Sequence, residues 1–154
     1  MTSTSLVTQR QVIAVCVVGW LGASSGCAHV ETTGLDDDYG DSPTIQVLTG
    51  KASYYHDSLH GNLTANGEVY NKRRISAAHL TLPFCTVVRV IRLDTGDKVI
   101  VRINDRGPYG QRGRILDLSR AAAKELDMIE RGVVPIRAEI VEMGDGCTFH
   151  HQHR

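Results

Sequence analysis

The chain has 154 residues, with 17 basic and 17 acidic side chains and four cysteines. That length suits one domain of modest size. The balanced charge offers no large basic surplus of the kind a nucleic-acid-binding surface carries, so no nucleic-acid partner is expected.

In chain order, the first feature is an apolar run, "VIAVCVVGWLGA" (12–23), behind Arg10. It is shorter than the ~20 residues a membrane-spanning helix needs, and it suits a signal-peptide hydrophobic region behind a weakly basic start. "SSGC" (24–27) follows, and small residues before a Cys resemble the lipobox of bacterial lipoproteins. That resemblance implies removal of residues 1–26 and lipidation of Cys27, which would anchor the protein to a membrane in the cell envelope. Ser24 stands where the lipobox usually has Leu, and an ordinary secreted chain is the alternative. Ala28 rather than Asp after the Cys implies outer-membrane sorting, on the periplasmic face, in a Gram-negative cell.

Residues 27–48 are polar, acidic and punctuated by Gly and Pro, and they read as a flexible tether. Fully extended, such a segment reaches roughly 70 Å at ~3.3 Å per residue. Five acids (Glu31, Asp36, Asp37, Asp38, Asp41) fall in it, leaving 16 basic and 12 acidic residues in the body. A surplus of four positive charges suits an anionic wall polymer or simply a solvated surface. With Cys16 in the leader and Cys27 as the anchor, Cys85 and Cys147 remain. Two leftover thiols in an oxidising compartment are usually paired, so a Cys85–Cys147 disulfide is expected, with two free thiols as the alternative.

The body, 49–143, shows short strands and Gly-rich turns. "GKASYY" (50–55), "TVVRVIRL" (86–93), "DKVIVRIN" (97–104), "RILDL" (114–118) and "PIRAEIVEM" (135–143) read as strands, with "DTG" (94–96) as a hairpin turn. "SRAAAKELDMI" (119–129) predicts a helix capped by Ser119, and "SAAHL" (76–80) a shorter one. In "VRINDRGPYG" (101–110) an alternating strand runs straight into a Gly-Pro turn through Asn104, Asp105 and Arg106. Turn chemistry alone accounts for such a composition. Many short strands with little helix predict a mainly β fold, a barrel or compact sandwich. The tail, 144–154, contains His150, His151 and His153. A His-rich end can hold metal but is more often a loose terminus, and no metal is expected.

Taken together, "GKASYY", "HGNLTANGEVYN" (60–71), "AAHLTLP" (77–83), "VRINDRGPYG" and "GRILDLSRAAAKEL" (113–126) resemble the rare lipoprotein A (RlpA) family over roughly residues 49 to 142. The resemblance implies a six-stranded double-psi β barrel, related to barwin and expansin domains, with one or two short helices. Members often carry a C-terminal peptidoglycan-binding domain, for which residues 144–154 leave no room. The implied activity is endolytic lytic transglycosylation of peptidoglycan glycan strands, preferring strands without stem peptides. It cleaves the N-acetylmuramic acid to N-acetylglucosamine bond and leaves 1,6-anhydro ends. The alternative is a noncatalytic peptidoglycan-binding or expansin-like wall-loosening lipoprotein.

Ordinary glycosidases need two carboxyls. Here the attacking hydroxyl belongs to the sugar, so one carboxyl could protonate the leaving oxygen and accept the hydroxyl proton. No cofactor is called for. The resemblance casts Asp105 as that acid/base, with a turn-capping Asp as the competing reading. It places Glu68, His79 and Asp117 beside Asp105, although Asp117 also suits the start of the following helix. Tyr55 would offer a sugar-stacking ring, and Thr64, Asn66, Asn104 and Arg106 polar contacts to hydroxyl and acetamide groups. Four positions depart from the family pattern: Asn71 stands where many members have Asp, Tyr54 replaces Trp, and His56 and Cys85 replace Gly.

Overall fold

The computed structural model describes residues 38–110 and 113–149. β-Branched and aliphatic residues at alternate positions set its strands, because side chains two apart share a face. The strands are β1 (Gln46–Tyr54), β2 (Ala77–Ala78), β3 (Val87–Arg92), β4 (Lys98–Asp105), β5 (Arg114–Leu118) and β6 (Val134–Glu142). They close into a barrel in the order β1-β5-β2-β4-β3-β6. The β1–β5 and β2–β4 pairs are parallel and the other pairings antiparallel. The barrel is the mainly β, six-stranded one that the motifs imply.

The core fills the barrel. Val99, Val101 and Ile103 of β4 meet Leu116 and Leu118 of β5 and Ile136, Ala138 and Ile140 of β6 inside, all of them buried. A helix, α1 (Arg120–Glu125), follows β5 and covers one end with Ala122 and Ala123, and Leu126 and Met128 continue the apolar layer. Ser119 caps α1, its Oγ accepting from the Ala122 N–H at 3.2 Å. Ser119 Oγ also accepts from the Ser76 N–H at 3.2 Å, which ties the helix start to β2.

Two expectations on local structure need correction. "SAAHL" contains a strand, not a helix: Ala77 and Ala78 are spliced between β4 and β5, with no surface exposed. Small side chains fit the crowded crossing, and two sets of ladder bonds outweigh the helix preference of Ala. The helix predicted over 119–129 stops at Glu125, because Asp127 turns into positive φ at 45°.

The domain boundaries also shift. β1 begins at Gln46, within the stretch read as tether. Ahead of it, Tyr39 packs on a second apolar cluster of Val87, Ile100 and Val141 outside the barrel. Arg89 fastens this segment, donating to the carbonyls of Tyr39 and Ser42 at 2.7 and 3.0 Å and to Glu139 at 2.9 Å. At the other end, residues 144–149 of the predicted tail lie on the barrel, and Cys147 is disulfide-bonded to Cys85. The leader 1–26, Cys27, the tether to residue 37, and His150, His151 and His153 lie outside the described residues.

Candidate active site

Four neighbouring strands bring one row of residues to one rim. Ser53 of β1 pairs with Asp117 of β5, Asp117 with Ala78 of β2, and Ala78 with Asp105 at the end of β4. Adjacent strands lie about 4.8 Å apart, so the backbones of the two aspartates are separated by about 10 Å across a single short strand. Ser53 donates its hydroxyl to Asp117 Oδ1. A methyl group in place of the Gly107 hydrogen would stand 3.3 Å from Asp117 Oδ2, so Asp117 reaches the turn that follows Asp105.

Asp105 is held by three donors. Its Oδ1 accepts from the N–H groups of Ala65 and Arg106, each at 2.8 Å, and its Oδ2 from the Tyr55 hydroxyl at 2.7 Å. A carboxylate offers about four lone-pair positions. Oδ1 has two partners and Oδ2 one, so Oδ2 keeps a position for a substrate proton. Burial first, then the hydrogen bond and charge of Asp105, then the charge of Asp117, push the Tyr55 phenol far above its usual range. Tyr55 is therefore a permanent donor. Its ring meets Tyr70 edge-on at 4.9 Å, and its hydroxyl holds the Asp105 carboxylate.

Glu68 lies on the loop between Leu63 and Val69, which pair as an isolated bridge. Arg102 and Asn104 each donate to Glu68 Oε2 at 2.8 Å. Burial pushes Glu68 upward, but those hydrogen bonds and the Arg102 charge outweigh it and hold its carboxyl below the usual range. Glu68 is thus an anchored anion. Arg102 is a residue that the motif reading missed. The signal was present, because it stands two positions before Asn104 on the same strand.

His79 is turned to its own backbone. Its Nδ1 accepts from the N–H groups of Thr81 and Leu82 at 3.1 and 2.9 Å, which places the ring proton on Nε2. Burial, then the nearby Arg106 charge, hold its pKa below the ordinary histidine value. Arg106 stacks over the Phe84 ring at 3.6 Å and donates to the His79 carbonyl at 3.2 Å. It therefore clamps the rim. Thr64 and Asn66 are buried and bonded to one another at 2.7 Å, shaping the Glu68 loop from within.

A groove of about 480 Å³ opens beside Glu68, lined among others by Asn71, Arg74, Arg102, Asn104 and Phe149. Asn104 is 4% exposed, and its Oδ1 has no hydrogen-bond partner among the described residues. Asn71 Oδ1 accepts from the Arg73 N–H at 2.9 Å, a turn contact that Asp would make equally well. Tyr54 donates to the Ile129 carbonyl at 3.0 Å, and His56 caps a 3-10 turn at Asp57–Leu59. Among the described residues, Cys85, Asp145 and Cys147 are the only three metal-ligand side chains gathered together, and both sulfurs are taken up in the disulfide.

Residues 47–138 match the family model described as "Lytic transglycolase". The chain belongs to the RlpA family of lytic transglycolases. It is similar to the endolytic peptidoglycan transglycosylase RlpA of Campylobacter jejuni, 46% identical over 106 residues, which cover 66% of this chain and 38% of that protein. The probable endolytic peptidoglycan transglycosylase RlpA of Treponema pallidum is 54% identical over 92 residues, covering 60% and 29%. The RlpA-family barrel thus spans about a third of the length of such relatives. Among solved structures, the Streptomyces papain inhibitor matches with a TM-score of 0.53 at 30% identity, covering 66% of this chain and all of that one. An expansin of Clavibacter michiganensis matches with a TM-score of 0.51 at 20% identity, covering 63% and 51%, which shows the shared fold.

The RlpA-family residues expected at the site do not all stand in equivalent places. Asp105, Asp117 and Tyr55 share one rim, Glu68 and Asn104 share the groove beside it, and Thr64, Asn66 and Arg106 hold the frame. Ser53 went unrecognised because its link to Asp117 comes from a parallel strand pairing 64 residues apart in sequence.

Proposed function

We propose that this barrel is an endolytic peptidoglycan lytic transglycosylase with Asp105 as its acid/base. The observation that carries the reading is the open position on Asp105 Oδ2, beside a carboxylate otherwise fixed by Tyr55, Ala65 and Arg106. The protonated carboxyl gives its proton to the oxygen leaving C1 of N-acetylmuramic acid. The same oxygen then takes the proton of that sugar's C6 hydroxyl as the C6 oxygen closes on C1. The C1–leaving-oxygen bond breaks, the C6–O–C1 bond forms, and a 1,6-anhydro end results without water.

Asn104 lines the groove, its Nδ2 donating to Glu68, and supports the reading with a polar edge for sugar hydroxyl or acetamide groups. Arg102 and Arg74 line the same groove. The reading extends to glycan strands without stem peptides, the substrate that the likeness to the RlpA family implies. The lipobox-like start supports a Cys27-anchored protein at the periplasmic face of the outer membrane, reaching the wall through its acidic tether.

The test is digestion of purified denuded glycan strands, wild type against Asp105→Asn, read by mass spectrometry. Anhydromuramyl products from wild type alone support the reading. If wild type yields none while still binding the strands, the barrel is a noncatalytic glycan-binding module and Asp105 a structural turn residue.

A further inference from the structure

The last described residues form a strap. Cys147 is bonded to Cys85, their Cα atoms 5.9 Å apart. Before it, the Gly144 N–H donates to Thr86 Oγ1 at 3.0 Å and the Gly146 N–H to the Phe84 carbonyl at 3.1 Å. After it, the Phe149 N–H donates to the Asn66 carbonyl at 2.7 Å. The strap therefore ties the 83–86 turn to the 64–68 loop. The first carries Phe84, on which Arg106 stacks. The second gives the Ala65 N–H to Asp105 and carries Glu68.

The fit on the loop is close. Gly67 has φ +92, and a methyl group there would stand 1.9 Å from the Phe149 carbonyl oxygen. Only glycine satisfies both the backbone angle and the approach. Beyond this contact Phe149 lines the groove with Glu68, Arg102 and Asn104, and the residue is 52% exposed. A half-exposed ring costs apolar hydration unless something covers it. The faces of pyranose rings carry C–H groups that pack on such a surface, while their hydroxyl and acetamide edges suit the polar residues opposite.

We propose that residues 144–149 are a working part of the glycan site: Phe149 is the apolar wall of the Glu68 groove, and the Cys85–Cys147 disulfide latches the strap that positions the 64–68 loop against Asp105. This rests on the glycan-binding part of the reading above. Reduction by a dithiol would pass two electrons and two protons to the pair. The S–S bond breaks, Cys85 and Cys147 become thiols, and the dithiol closes to its own disulfide. The strap is then held by hydrogen bonds alone, and the loop loosens.

The experiment uses denuded peptidoglycan glycan strands as the probe and measures retention on them alongside kcat and KM for product release. Four samples are compared: the oxidised wild type, the wild type after dithiothreitol, Phe149→Ala, and the double variant Cys85→Gly with Cys147→Ser. Glycine suits position 85, where φ is +67. Melting followed by circular dichroism establishes that each sample is folded. Phe149→Ala is expected to weaken retention and raise KM by about fivefold with little change in kcat, and Phe149→Trp to restore both. Dithiothreitol is expected to lower kcat of the wild type and to leave the double variant, already slow, unchanged. Retention and rates equal to wild type in Phe149→Ala, together with full activity after reduction, overturn the proposal and make the strap a structural tie only. If the wild type binds but does not cut, the transglycosylase reading fails while retention of Phe149→Ala still decides the wall. If the wild type does not bind at all, both readings fall.

Discussion

The Tyr55 hydroxyl donates to Asp105 Oδ2 at 2.7 Å, joining the residue that follows β1 to the last residue of β4. Tyr55 keeps its proton because burial and two nearby carboxylates oppose its ionisation. Tyr55→Phe preserves the edge contact with Tyr70 and removes only this donor. Hydrogen bonds to charged groups are worth about 1.5–3 kcal/mol, so kcat on denuded strands should fall about tenfold or more. Retention on the strands should stay near wild type. Equal loss of retention would show that Tyr55 binds sugar instead of orienting Asp105.

Glu68→Gln tests the anchored anion. A carboxyl whose pKa is lower in the folded state stabilises the fold above its unfolded pKa, and the effect is lost as pH falls through the folded value. The partly exposed pair with Arg102 is discounted for solvent, to at most about 1 kcal/mol at pH 7. Thermal melts should show Glu68→Gln less stable than wild type at pH 7. The gap should close on acidification below about pH 4.5, where the unfolded carboxyl takes up its proton. A gap independent of pH would mean that shape, not charge, matters at position 68.

Burial and the nearby Arg106 charge set the folded pKa of His79 below the unfolded one. The unfolded chain therefore binds the proton first, and stability falls as pH drops below about 6.5 toward the folded value. His79→Asn keeps an acceptor near the Thr81 and Leu82 N–H groups and cannot titrate. Its melting temperature should be flatter than that of wild type between pH 7 and pH 5. Parallel curves for the two proteins would assign the acid sensitivity to other groups.

Ser119→Ala removes one oxygen that serves both α1 and β2. Loss of such a cap costs about 1–2 kcal/mol, and the buried Ser76 N–H loses its partner as well. The melting temperature should drop by about 5 °C or more, with the rim residues undisturbed and the ratio of kcat to KM close to wild type. A drop in activity without a drop in stability would place Ser119 nearer the chemistry than its contacts do.

Much of the barrel was legible in the chain itself. Strict alternation marked Ile136, Ala138 and Ile140 as inward residues of β6, and "RILDL" coincides with β5, because a period of two needs no tertiary information. The order of motifs around "INDRGP" pointed to Asp105, Glu68 and their family before any contact was known, and counting cysteines pointed to the Cys85–Cys147 pair. Composition and local propensity could not show that Ala77–Ala78 would be pulled into a two-residue strand. Nor could they show that Tyr39 would dock on Val87, Ile100 and Val141. What only the tertiary structure decided was how the site is wired. Parallel pairing sets Ser53 on Asp117, the closed barrel brings Tyr55 to Asp105, and the strap carries Phe149 to Glu68. Those partners lie 50 to 81 residues apart, and their meeting depends on strand register and barrel closure, to which local sequence is blind.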